Sequence, residues 1–334
     1  MRVVLIGPRY SCKGALGGIV VLFENLISHN VSKDRIAHIV DSNSMNYANK
    51  LIMIMLVFIK LIRYWHLHVS LHGTEQDFKY IGILLLIRKK VGGGSYSLRK
   101  FAGNYDECYR NYNVIFKKIV SRVLNESDAN FFETLALVNS FKVHNQATYW
   151  FPNVRSESNR NSINYNNGDI FKTLYLSQVK KEKGILELIE AVKGNRSVSL
   201  TIAGKIIDSV IEPNELPENI NYIGEIQPWE VSQVMSHHHL LALPTFYAGE
   251  GYPGVIIEAF MVGLPVLTTD WKALPELVGD SGYLVPVKNS KEILKSIEEL
   301  QKYTHNEYRL KSKERAFVFS DVKATNQFWS VLGK

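Results

Sequence analysis

A strand-like apolar run, a glycine-bearing turn and a helix with apolar spacing open this chain, and the same succession restarts beyond its middle. Arg2–Gly7 carries Val3-Val4-Leu5-Ile6 without a polar break, the pattern of a parallel strand covered on both faces. Gly14, Gly17 and Gly18 then lead into Ile19–Ser28, whose apolar residues recur at helical intervals. Strand, glycine turn and helix in that order predict a doubly wound α/β unit. With 334 residues the chain has room for about two of them.

In the first half, Ile36–Val40, Leu67–Leu71 and Asn130–Phe132 read as further strands and Leu135–Phe141 as a helix. His72-Gly73-Thr74 closes one strand at its carboxyl end, where open sheets bind ligands. Val91-Gly92-Gly93-Gly94-Ser95 reads as a flexible loop. Residues 155–169 are polar, rich in turn formers, and read as a linker. Beyond it the pattern gives strands at Thr173–Leu176, Ser199–Ala203, Asn221–Ile223, Leu240–Leu243, Pro265–Thr268 and Gly282–Val285. Helices are expected at Gly184–Lys193 and Gln233–His239. The expected domains are residues 1–155 and 165–319, both Rossmann-like. A helix at Val322–Leu332, within 320–334, is expected to pack back on the first.

The chemistry concentrates in Gly249-Glu250-Gly251-Tyr252-Pro253-Gly254-Val255-Ile256-Ile257-Glu258-Ala259-Phe260. Gly and Pro before an apolar segment mark a tight turn feeding a helix start. A helix start near Gly254 offers free backbone N–H groups and a partial positive charge, which suit a phosphate. Glu258 returns to the same face one turn later. Glu250, before the turn, can reach forward past that phosphate. On spacing alone, two solvated surface glutamates remain the simpler reading.

The formal charge of +7 is unevenly spread: residues 1–150 hold 19 Lys+Arg against 10 Asp+Glu, and residues 151–334 hold 20 against 22. The basic half includes Arg88-Lys89-Lys90, Arg99-Lys100 and Lys117-Lys118-Arg122, interleaved with Trp65, Tyr96, Phe101, Tyr105 and Tyr109. Such a surface can meet anionic lipid, a diphosphate-linked acceptor or nucleic acid, but no nucleic-acid motif supports the last. The apolar run Leu51–Ile59 is interrupted by Lys60 and Arg63, too short to span a bilayer. It reads first as a buried helix and second as an interfacial one. Met1-Arg2 runs straight into the first strand, so no signal peptide is expected. Cys12 and Cys108 stand far apart and fit a reducing compartment. His237-His238-His239 point in different directions on a helix end and read as structural.

Taken together, Leu243-Pro244-Thr245, the Glu250–Glu258 spacing, Gly263-Leu264-Pro265-Val266, Pro275-Glu276-Leu277-Val278 and Gly282-Tyr283-Leu284-Val285 form an ordered series. This series resembles the retaining glycosyltransferases of family 4, whose signature is two glutamates separated by seven residues. The resemblance implies a GT-B fold, with two Rossmann-like domains facing a central cleft. It implies transfer of a hexosyl-type residue from a nucleotide diphosphate sugar, UDP- or GDP-linked, to an acceptor hydroxyl. The acceptor would be a lipid-linked or soluble glycan of capsule, O-antigen or exopolysaccharide synthesis, met in the cytoplasm at the inner face of the plasma membrane, with peripheral contact to anionic lipid. No metal and no cofactor are implied.

By the same resemblance Glu258 would bond the ribose hydroxyls, and the N–H groups of Gly254 and Val255 the diphosphate. Glu250 would contact the donor sugar, aided by the N–H groups of Gly251 and Tyr252. Lys183 would neutralise the leaving diphosphate. Gly17 and Gly18 match the glycine loop of the first half, where backbone can approach the phosphates closely, and Gly224 lies where the base stacks. Two positions depart from the pattern. Gln178 stands where the family has an arginine, and Gly92-Gly93-Gly94 lack the preceding histidine many relatives carry. Two further readings remain: a non-catalytic nucleotide-sugar or membrane-binding subunit, and a nicotinamide-dependent oxidoreductase. Against the latter, Gly7…Gly14…Gly17-Gly18 is not G-x-G-x-x-G, and only Asp41 could follow the second strand as the acid.

Overall fold

The computed structural model describes residues 1–11, 18–156, 170–302 and 306–333. Gly17, with Cys12 and Gly14, lies outside the described residues, as does most of the expected linker. The chain divides into two compact units, Met1–Val154 with Asp321–Lys334, and Arg155–Ser320.

The first unit runs β1 (Val3–Gly7), α1 (Gly18–Ser28), α2 (Asn30–Lys33), β2 (Ile36–Asp41), α3 (Lys50–Arg63), β3 (His68–Gly73), α4 (Glu75–Asp77), a π turn at Phe78–Gly82, and α5 (Ile83–Lys90). It continues with β4 (Tyr96–Lys100), α6 (Tyr105–Arg110), α7 (Val114–Asn125), β5 (Ala129–Phe132), α8 (Leu135–Phe141) and β6 (Thr148–Trp150). The strands form one parallel sheet in the order β2-β1-β3-β4-β5-β6. Strand order reverses between β1 and β3, which leaves a crevice at their carboxyl ends.

One face of this sheet is covered by α3, the π turn, α5, α7 and α8 through Val57, Leu61, Ile81, Leu85, Val123 and Phe141. The other face is covered by α1 and by the chain's last helix, which reaches this unit after the whole second unit has been traversed. In that helix Phe328 packs on His72, Phe131 and Phe151, and Trp329 Nε1 donates to Ser32 Oγ at 2.8 Å.

The second unit holds β7 (Phe171–Leu176), a 3-10 turn at Lys181–Lys183, α9 (Ile185–Val192), β8 (Val198–Ala203), β9 (Ile220–Tyr222), α10 (Val231–Ser236) and β10 (Leu240–Leu243). It continues with α11 (Gly254–Val262), β11 (Val266–Thr269), α12 (Leu274–Val278), β12 (Gly282–Val285), α13 (Ser290–Lys302) and α14 (Asn306–Ala316); the last helix, α15 (Asp321–Leu332), belongs to the first unit. Its parallel sheet runs β12-β11-β10-β7-β8-β9, so here the order reverses between β7 and β10. The α/β fold class expected from the repeated strand–turn–helix pattern is therefore present twice.

Three expectations need correction. Tyr96–Lys100 is a central strand, although its two cations marked it as basic surface. Arg99 is 2% exposed and Lys100 3% exposed, while Tyr96, Phe101 and Tyr105 are buried beside them. Arg88 is also buried, its guanidinium donating to the carbonyls of Tyr64, Trp65, Leu67 and Gly94. Carbonyls hold the two terminal nitrogens of Arg88, and Arg99 lies over the Phe101 and Phe151 rings, so these residues add less to the basic surface than their count suggests. The helix expected to run to His239 stops at Ser236. The Leu51–Ile59 run, read first as buried, buries only the Met53, Val57 and Leu61 face of α3.

Candidate functional site

The reversal between β7 and β10 places two loops side by side in the second unit. After β7 come Gln178 and Lys183; after β10 comes the glycine-rich stretch that ends at α11. Gly184 lets the first loop approach: its φ is +75°, and a side chain there would overlap the Pro244 carbonyl. Lys183, one residue earlier, thereby reaches Glu250, with Nζ 2.6 Å from Oε2. The same carboxylate oxygen accepts from Thr245 Oγ1 at 2.7 Å. Thr245 Oγ1 also accepts from the Tyr247 N–H, and the Phe246 N–H donates to the Glu182 carbonyl, which ties the two loops together. Lys183 and Glu250 side chains are 12% and 8% exposed, so this is a sheltered pair that water screens weakly.

Burial, with Glu250 nearby, pushes the Tyr175 phenol up, so it stays a neutral donor to the Gln178 carbonyl at 2.8 Å. Gln178 itself is exposed. Lys180, in the same loop, holds its ammonium 3.8 Å from the centre of the Tyr247 ring.

Glu258 lies one turn inside α11. The Ile256 N–H turns back to the Pro253 carbonyl, leaving Gly254 and Val255 as the first residues of the helix. Tyr252 is buried, its ring packed on Phe319 and its hydroxyl donating to the Glu276 carboxylate. Gly251 is buried with it. Gly224 takes a φ of +80°, accepts from the Gly204 N–H, and has open space where a side chain would stand. Glu250, Lys183, Gly251, Tyr252, Gly254, Val255 and Glu258 thus belong to two loops and one helix start of one unit. Gly18 belongs to the other unit.

Two residues of this site carried no assignment from sequence. Thr245 sits five residues before Glu250 and was visible only as part of a motif. Arg155, at the head of the expected linker, has its Nε 2.5 Å from Glu258 Oε1. That contact joins residues 103 positions apart, and only the fold could reveal it. Arg155, Glu258, Trp229, Met235 and Met261 line a small cavity of about 70 Å³.

In the first unit a cavity of about 370 Å³ opens at the carboxyl ends of β1, β2 and β3. Gly18, Ser42, Met45, Lys50, Thr74 and Asp77 are among its lining residues. Among the described residues the buried Ser42 hydroxyl meets no hydrogen-bond partner. His72, near the end of β3, is fully enclosed by Phe23 and Phe328; burial, helped by Arg99, holds it well below the usual histidine range and hence neutral. The three adjacent histidines take separate roles: His237 Nδ1 meets the Gln233 carbonyl, His238 meets Val234 and Thr201, and His239 Nδ1 accepts from the Lys172 N–H. Among the described residues no cluster of three or more His, Cys, Asp or Glu could hold a metal.

Residues 156–317 match the family model described as glycosyl transferases group 1. The putative colanic acid biosynthesis glycosyltransferase WcaL of Salmonella typhimurium is 25% identical over 146 residues, 39% of this chain and 36% of that protein. The O-antigen chain mannosyltransferase B of Escherichia coli is 25% identical over 141 residues, 38% of this chain and 36% of that protein. The matches thus span about a third of each relative's length. Among solved structures, Anabaena Alr3699/HepE in complex with UDP-glucose superimposes with a TM-score of 0.74 at 13% identity, covering both chains fully. The lipopolysaccharide outer core galactosyltransferase WaaB, in its apo form, gives 0.72 at 15% identity over 99% of each chain. These likenesses establish the GT-B fold over the full length.

Proposed function

We propose, from the premise that this chain belongs through residues 156–317 to the group 1 glycosyl transferases, that it moves a sugar from a nucleotide diphosphate sugar to an acceptor hydroxyl with retention of configuration. The observation that carries this reading is the Lys183–Glu250 pair, 2.6 Å apart at the β7/β10 reversal, beside the start of α11.

The first N–H groups of α11, at Gly254 and Val255, bind the diphosphate, since an anion there meets unsatisfied donors and the positive end of the helix dipole. Glu258 accepts from the ribose hydroxyls. Gly224, with open space above its backbone, lies under the base. Glu250 accepts from the donor sugar's hydroxyls, and Gly251 and Tyr252 present N–H groups beside it. One oxygen of Glu250 is held by Lys183 and Thr245, which suits a fixed hydrogen-bonding carboxylate better than a nucleophile. As the glycosidic bond breaks, negative charge grows on the leaving diphosphate, and Lys183 stabilises it. The departing phosphate oxygen takes the proton of the acceptor hydroxyl, which attacks on the same face. The two-carboxylate machinery of glycoside hydrolases is not required.

The donor to try first is UDP-linked, because UDP and UDP-glucose are bound in the Anabaena relative; GDP-linked donors come second. The acceptor is a lipid-linked glycan of surface-polysaccharide synthesis, in line with the named roles of WcaL and the O-antigen mannosyltransferase. The first unit's cavity serves the acceptor side. Contact with an anionic membrane is supported by α3, which exposes Leu51, Met55, Phe58, Ile59 and Ile62 and carries Lys50, Lys60 and Arg63 with no carboxylate. Among the described residues no helix is long and apolar enough to cross a membrane.

The test is transfer by purified Glu258→Ala and Lys183→Ala with a matched donor. Each loses at least about tenfold in kcat/KM, the scale of one charge-assisted contact; unimpaired transfer in both contradicts the reading. Gln178, exposed where the family has an arginine, favours one second reading, a non-catalytic nucleotide-sugar-binding subunit. Transfer by the isolated chain excludes that alternative.

A further inference from the structure

We infer that Arg155 binds the donor's diphosphate and supplies the positive charge that Gln178 cannot. This rests on the reading of Glu258 and the start of α11 as nucleotide contacts. Arg155 opens the second unit, and its backbone is fixed there: its N–H donates to the Phe319 carbonyl at 3.1 Å, and it bridges to Ser320. The side chain turns inward and is 14% exposed, against 27% for Glu258, which takes its Nε at 2.5 Å. Nη2 fills the space directly over Gly254, where any side chain would overlap the guanidinium. The glycine therefore makes room for an arginine at the first turn of α11.

A cation beside a helix N-terminus is repelled by the dipole. Glu258 offsets this in the ligand-free chain, and an arriving diphosphate would offset it more fully. A planar guanidinium with five N–H donors can bond a carboxylate and a phosphate together, which a lysine's point charge does less well. In the loop after β7 Gln178 is neutral, Lys180 stands over the Tyr247 ring, and Lys183, which meets the leaving phosphate in this reading, is shared with Glu250, so the place of the family's arginine holds no guanidinium.

The experiment measures dissociation constants of UDP, UMP and uridine, and of the GDP series if UDP does not bind, for the wild type, Arg155→Ala, Arg155→Lys, Glu258→Ala and the double variant Arg155→Ala/Gln178→Arg. Unfolding temperatures establish that each is folded. Arg155→Ala is expected to weaken UDP about 10- to 100-fold, as for loss of a hydrogen bond to a charged group, and uridine by far less. Arg155→Lys should recover part of the loss, and Gln178→Arg in the alanine background should recover most of it. If Arg155→Ala binds UDP as tightly as wild type, or more tightly, the guanidinium merely plugs the site and the inference fails. An equal loss for uridine and UDP also overturns it, because Arg155 then acts only by holding Glu258. Where Arg155→Ala does not fold, equal UDP affinity in wild type and Arg155→Lys overturns it instead. Nucleotide binding lost in Glu258→Ala but kept in Arg155→Ala removes this inference alone. A wild type that binds neither UDP nor GDP removes the donor-site reading with it.

Discussion

Lys100 ends β4 with 3% of its surface exposed, its ammonium donating to the Phe101 carbonyl. Burial pushes it down to about 8, against the partial compensation of Cys108, Glu133, Glu75 and Asp77. The folded chain therefore holds fewer protons than the unfolded chain between pH 8 and the ordinary lysine value of 10.5. The cost of burying the charge is full below about pH 8 and is relieved as pH rises through that window, so stability rises with pH there. Thermal unfolding at pH 7.5 to 10 should show a rise in wild type relative to Lys100→Met; parallel curves contradict this. At the same scale, Glu250 and Glu258 were singled out by their offsets from glycines and a helix start, and Lys183 only through the family resemblance. Arg155 and the interior places of Arg88, Arg99 and Lys100 were not. Burial of a cation depends on which carbonyls and rings the fold brings around it, and no local spacing encodes that.

Helix α3 shows how an element can be half read. Its apolar run gave the helix, but the run has no polar face to say which side is buried. Met53, Val57 and Leu61 face the sheet, while Leu51, Met55, Phe58 and Ile62 recur at i, i+4, i+7 and i+11 on the opposite, exposed side. An apolar stripe beside lysine and arginine is the pattern of a helix that lies in a membrane interface. Phe58→Glu with Ile62→Glu should lower cosedimentation with anionic vesicles several-fold and leave the unfolding temperature nearly unchanged, since neither side chain is in the core. Equal sedimentation of variant and wild type contradicts that role for α3. Strand β4 was missed for the opposite reason: its Arg99-Lys100 end breaks the apolar pattern that marks buried strands. Strand β10 was legible as an unbroken apolar run, β12 as a short apolar run opened by Gly282, and β7 and β8 as apolar-rich segments that stop at Ser177 and Gly204.

Across the whole molecule, two parallel sheets of six strands reverse their order between β1 and β3 and between β7 and β10. Those reversals, rather than any single motif, decide where loops can gather around a ligand. The repeated strand–turn–helix pattern told of two such units, but strand order is a property of long-range pairing and had to come from the structure. Helix α15 follows Ser320 in sequence and packs against α1 and β5 of the first unit. The central claim is that the β7/β10 reversal binds a nucleotide diphosphate sugar through Glu258, the start of α11 and Lys183. Its most direct test is the unfolding temperature of wild type and Glu258→Ala with saturating UDP-, GDP-, dTDP- and ADP-sugars, because a ligand that binds only the folded chain raises it. The account predicts a clear rise with at least one donor in the wild type, and its loss or marked reduction in Glu258→Ala. No rise with any donor, or the same rise in both proteins, would contradict it.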